Sequence, residues 1–86
     1  MKVSRRLWCC SSVEHPSDIL YHCAFTGLQL LPIGSMYYQT QSPLLVFSRR
    51  VAMEYAKSWN SEYDFDETLR VIPRRITVSI DVEAAK

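Results

Sequence analysis

A chain of 86 residues with 48% hydrophobic and 22% charged content describes one globular domain, residues 1–86, because a core of this size buries only about 60–65% of the unfolded surface and cannot be divided in two. A formal net charge of +1 creates no overall field that would gather nucleic acid or anionic lipid, so no nucleic-acid partner is expected unless a local patch supplies the affinity. No apolar stretch approaches the ~18 residues that cross a bilayer, and the first residues lack a secretory pattern, so no membrane association and a cytoplasmic location are expected.

In chain order, "KVSRRLW" near the start predicts a short strand from its loose alternation. "SSVEHPSD" reads as a loop around Pro16, which has no amide donor and restricts the residue before it. "ILYHCAF", 19–25, is rich in β-forming residues and predicts a strand ended by Thr26 and Gly27. "LQLLPIGSMYY" predicts a short extended piece, a turn at Pro32 and Gly34, and a strand-like "MYYQT" over 36–40. The unbroken apolar run "LLVF", 44–47, predicts a strand buried on both faces.

Ser48 is placed to cap a helix over about 49–60, in which Val51, Ala52, Tyr55, Ala56 and Trp59 fall on one stripe. The acidic "SEYDFDE" is expected to be a solvated loop. "TLRVI" predicts a strand up to Pro73, and 75–82 alternates Ile76, Val78, Ile80 and Val82 with polar residues, the pattern of a strand with one wet face. Strands, one helix, then strands make an α+β fold: a small, mostly antiparallel sheet with one amphipathic helix packed on it.

Several groups bear on chemistry. Cys9, Cys10 and Cys23 are odd in number and two are adjacent, so reduced thiols are expected rather than a disulfide framework. With His15 and His22 they offer zinc ligands but no CxxC or HxxxH spacing, and in a strand His22 and Cys23 face opposite ways, so no metal is expected. "EYDFDE" lacks the glycine and ligand spacing of a calcium loop. Arg49 and Arg50 occupy the first helical turn, where the dipole disfavours cations by up to ~1 kcal/mol. An anion such as phosphate would relieve that cost. The alternative is two solvated arginines, or a weak Arg50–Glu54 pair worth ~0.3 kcal/mol.

The arrangement of "LYH" at 20–22, a leucine-rich turn ending in Gly34, "VFS" at 46–48 leading into a helix with "AMEYA" at 52–56, and the strand "ITVSIDV" resembles small ADP-ribosyltransferase-like domains over about residues 19–82. The resemblance implies binding of NAD or a related nucleotide, with His22 on the ribose and Phe47 and Ser48 beside the nicotinamide. Arg49 and Arg50 would complete the site. The chain departs from the family pattern where Cys23 and Ala24 replace the usual Gly-Thr after the histidine, where Phe47 stands for a stacking tyrosine, and where Glu83 is the only counterpart of the catalytic glutamate. The family reading therefore implies a minimal module, active or inactive. The competing expectation is a non-enzymatic protein–protein interaction module, an inhibitor or adaptor of the kind phages and mobile elements encode. It would carry an exposed apolar patch or an unpaired strand edge.

Overall fold

The computed structural model describes residues 2–24, 26–34 and 41–81. In chain order the elements are β1 (Lys2–Ser12), β2 (Asp18–Cys23), β3 (Gly27–Pro32), β4 (Gln41–Pro43), α1 (Arg49–Glu62), a 3-10 turn (Glu67–Leu69) and β5 (Val71–Asp81). The strands form a curled antiparallel sheet in the order β3-β2-β1-β5, with β4 also on β2. The helix packs on one face, the α+β arrangement expected from the sequence.

The two-residue period of the strands sorts side chains into two apolar layers. On the helix side, Cys10 and Leu20 pack with Ala52, Ala56, Trp59 and Val71, and Trp8 lies against them. On the other side, Cys9, Ile19 and Tyr21 pack with Leu31, Leu45 and Ile76. Leu20 is fully buried, a contribution of about 2 kcal/mol from transfer alone. The helix buries Ala52, Ala56 and Trp59 of the expected stripe and half-buries Tyr55, while Val51 at the stripe's edge is exposed; Ser48 Oγ accepts the Arg50 N–H at 3.2 Å.

Three features differ from the sequence expectation. First, β1 extends through Ser11 and Ser12, because both hydroxyls are satisfied while buried: Ser11 Oγ donates to the Pro16 carbonyl at 2.9 Å, and Ser12 Oγ accepts the His15 N–H at 3.0 Å. Second, residues 44–47 are not a strand. Leu44 N–H bonds to the Leu20 carbonyl, whereas Val46 exchanges both backbone bonds with Trp8 at 2.8 and 2.9 Å. The run therefore crosses from β2 to β1, filling the fork where those strands part. Leu44 and Val46 face the helix-side core, Leu45 the other, and Phe47 ends 79% exposed. Third, β5 is one strand running through Pro73. The expected strand over 36–40 lies outside the described residues.

Hydrogen bonding explains why proline is accepted inside β5. Trp8 directs its N–H and C=O to Val46 and stands opposite Arg75, so that pair does not exchange ladder bonds. Val71, four residues earlier, directs its own N–H and C=O to the Asn60 side chain, both at 2.9 Å. Alternation then turns the N–H positions of Pro73, Thr77 and Ser79 toward the outer edge as well. Pro73 thus removes no bond to β1, as an edge strand permits.

Candidate functional site

His22 lies on the helix face near the end of β2, opposite Leu28 on β3 and Ser42 on β4. Its imidazole is exposed and meets the Tyr55 ring edge-on, with centroids 6.2 Å apart and an interplanar angle of 89°. Cys23 turns to the other layer, so strand alternation separates the two as expected. Tyr55 is half-buried against the core.

Ser48 Oγ is engaged as the helix cap, and Phe47 beside it points into solvent. Arg49 and Arg50 are exposed, and neither has an ion-pair partner among the described residues, Glu54 included. His22 reaches α1 through its contact with Tyr55. Phe47, Ser48, Arg49 and Arg50 lie together at the start of that helix, and no hydrogen bond joins His22 to Ser48 among the described residues. Glu83 lies outside the described residues.

A shallow cavity of about 200 Å³ lies at the far end of α1, lined by Asn60, Tyr63, Asp64, Asp66, Glu67 and Arg70. Asp66 Oδ1 accepts from the Thr68 amide at 3.0 Å and its hydroxyl at 2.6 Å, capping the 3-10 turn. Trp59, Tyr63 and Phe65 meet in sequence as tilted rings, with centroid separations of 4.3 and 6.0 Å. Its carboxylates disfavour an anionic dinucleotide.

The thiols are free. Burial pushes the Cys10 thiol up to about 11, and neighbouring Cys9 adds to the shift. Its S–H donates to the Ala52 carbonyl at 3.2 Å. Burial also raises the Cys9 thiol, against the opposing pull of Arg74. Both are therefore protonated, weak nucleophiles at neutral pH. Among the described residues no cluster of His, Cys, Asp or Glu is arranged to hold a metal.

Sequence reasoning missed the pairing of β1 with β5 over eleven positions, from Lys2 opposite Asp81 to Ser12 opposite Val71. Both segments alternate, but nothing local to either states that they are neighbours. Comparisons with protein-family models, with curated proteins and with solved structures returned no match.

Proposed function

We propose that the chain is a small non-enzymatic interaction module that takes up an extended segment of a partner protein along the outer edge of β5. The observation that supports this reading is the edge itself. Among the described residues β5 ends the sheet, and the backbone groups of Thr77 and Ser79 point away from β1. From Ile76 to Ile80 no charged residue or proline guards them, although natural edges are normally blunted in those ways. Strand addition uses such a row of free N–H and C=O groups for affinity and neighbouring side chains for specificity.

Thr77→Pro tests this. Pro73 shows that an outward position of β5 accepts proline, so the variant is expected to fold while losing the edge donor. Partner capture from cell extract should fall at least tenfold in Thr77→Pro and persist in His22→Ala. Equal capture by Thr77→Pro and wild type would remove the edge reading.

A second reading, an ADP-ribosyltransferase-like nucleotide binder, is supported by a separate observation: His22 and the unpaired Arg49 and Arg50 share the α1 side of the sheet. In it His22 orients a ribose, Phe47 and Ser48 border the nicotinamide, and the arginines meet phosphates. NAD at a hundred times its Kd would then add about 2.7 kcal/mol of stability. A melting temperature unmoved by millimolar NAD, or moved equally in His22→Ala, rules that reading out.

A further inference from the structure

The topology gathers charge that the sequence scatters. Lys2, Arg5 and Arg6 on β1 lie in one two-stranded ribbon with Arg74 and Arg75 on β5, five of the chain's ten Lys and Arg residues. Beyond Trp8, where β1 turns its free edge to Val46, residues 2–7 pair only with 76–81 among the described residues. The ribbon extends the molecule, whose extents are 52 × 26 × 19 Å and whose radius of gyration is 13.9 Å, against about 12 Å for a compact chain of this length.

The ribbon is two-faced. One face carries Val3, Leu7, Ile76 and Val78, each half-buried, together with Arg5. The other, continuous with the helix side through Trp8, presents Lys2, Ser4 and Arg6 beside Ser79, Thr77 and Arg75, all exposed. Each of these six side chains can donate a hydrogen bond. Arg75 is held over the Trp8 ring at 5.2 Å, which orients a guanidinium without neutralising its charge. Neither Lys2, Arg5, Arg6 nor Arg75 has an ion-pair partner among the described residues. Asp81, opposite Lys2 at the tip, is the one acid at a register position of the ribbon.

Most of the described acids collect away from the ribbon. The β1–β2 loop, which contains Glu14 and ends at Asp18, meets the α1–β5 connection, which follows Glu62 and contains Asp64, Asp66 and Glu67, through the bond from Val13 N–H to the Arg70 carbonyl at 3.0 Å. A chain that is nearly neutral in sum therefore carries most of its described carboxylates away from the ribbon, and a phosphate backbone would meet net attraction there, with Asp81 the acid beside Lys2.

We propose that the polar face of the β1–β5 ribbon is a binding surface for double-stranded nucleic acid, contacting phosphates through Lys2, Arg6 and Arg75, with Arg49 or Arg50 from the start of α1. The inference goes beyond the edge-strand reading and uses a face rather than the edge. A two-stranded ribbon fits the ~12 Å major groove of B-DNA. Six residue pairs at ~3.4 Å reach along about six base pairs. The face bears hydroxyl and cationic donors, and its one ring, Trp8, is covered by Arg75, so it offers a backbone cradle rather than the open stacking platform that single strands use.

The experiment is fluorescence anisotropy of a labelled 20-base-pair DNA duplex and the matching single strand, from 50 to 200 mM salt. About four phosphate contacts predict a log–log salt slope near −3.6 and a loss of about 150-fold across that range. Lys2→Gln/Arg6→Gln should weaken duplex binding at least tenfold at 50 mM salt and flatten the slope by nearly two. Lys57→Gln/Arg70→Gln, which removes equal charge off the ribbon, should stay within twofold of wild type. Circular dichroism melting of each variant separates lost binding from lost folding. No binding at 100 µM protein in 50 mM salt, equal weakening by the control variant, tighter binding of the single strand, or displacement by polyglutamate as effective per charge as by unlabelled duplex would each overturn the proposal. The last outcome would reassign the surface to an acidic protein. Because Lys2→Gln/Arg6→Gln leaves the outer edge of β5 untouched, it should retain partner capture while losing duplex binding, so the edge and face readings fail separately.

Discussion

Asn60 shows how one side chain can stand in for a missing strand. Its amide donates to the Val71 carbonyl and accepts the Val71 N–H, both at 2.9 Å, closing the outer edge of β5 where that strand is most buried. Asn60→Ala should cost about 2 kcal/mol, because it leaves two buried backbone groups without partners; urea denaturation measures this. Cys10 makes a second residue-scale prediction. Its pKa of about 11 lies above the usual 9.0, so the unfolded chain releases the proton first as pH rises. The stabilising contribution is complete below pH 9 and is lost as pH climbs from 9 toward 11. Melting temperature should therefore fall more steeply between pH 8 and 10.5 in wild type than in Cys10→Val. The adjacent cysteines were legible as free thiols. That Cys10 would find the Ala52 carbonyl, forty-two residues away, was not, because such a bond depends on helix-on-sheet packing and leaves no local trace.

At the scale of elements, α1 was the most readable. Its apolar stripe and its Ser48 cap are local properties, and the helix overruns the expected end at residue 60 by only two positions. Ser48→Ala should destabilise the protein by about 1 kcal/mol by thermal melting. Arg49→Glu should do the opposite, raising stability by about 0.5 kcal/mol by complementing a first turn that has no acid. If the arginines serve the ribbon's anionic partner, the same change should weaken duplex binding. The apolar run at 44–47 misled for a physical reason: its hydrophobicity reports burial, not pairing, and here successive residues face different layers as the chain crosses between strands. Pro73 misled in the opposite direction. Proline breaks a central strand but not an edge, and edge position is a property of the sheet, not of the residues around the proline.

At the scale of the molecule, stability should fall along the long axis. Near Cys10, Leu20 and Val71 the sheet is covered by α1, whereas residues 2–7 and 76–81 form a two-stranded ribbon, and such ribbons are marginal in water on their own. Native-state hydrogen exchange should find amides at Leu20 and Ile72 opening only with global unfolding. Those of Leu7 and Val78 should open at least 2 kcal/mol sooner, and equal protection would show that the ribbon is covered. Local pattern determined the capped helix, the cores of several strands and the α+β class, because periodicity and capping act within a few residues of themselves. Only the tertiary structure decided that β1 and β5 pair along eleven positions, that β5 is an edge among the described residues, and that most of the described carboxylates gather away from the basic ribbon. Those outcomes belong to strand order, which is set by how distant segments jointly bury the core, and no short window of sequence records it.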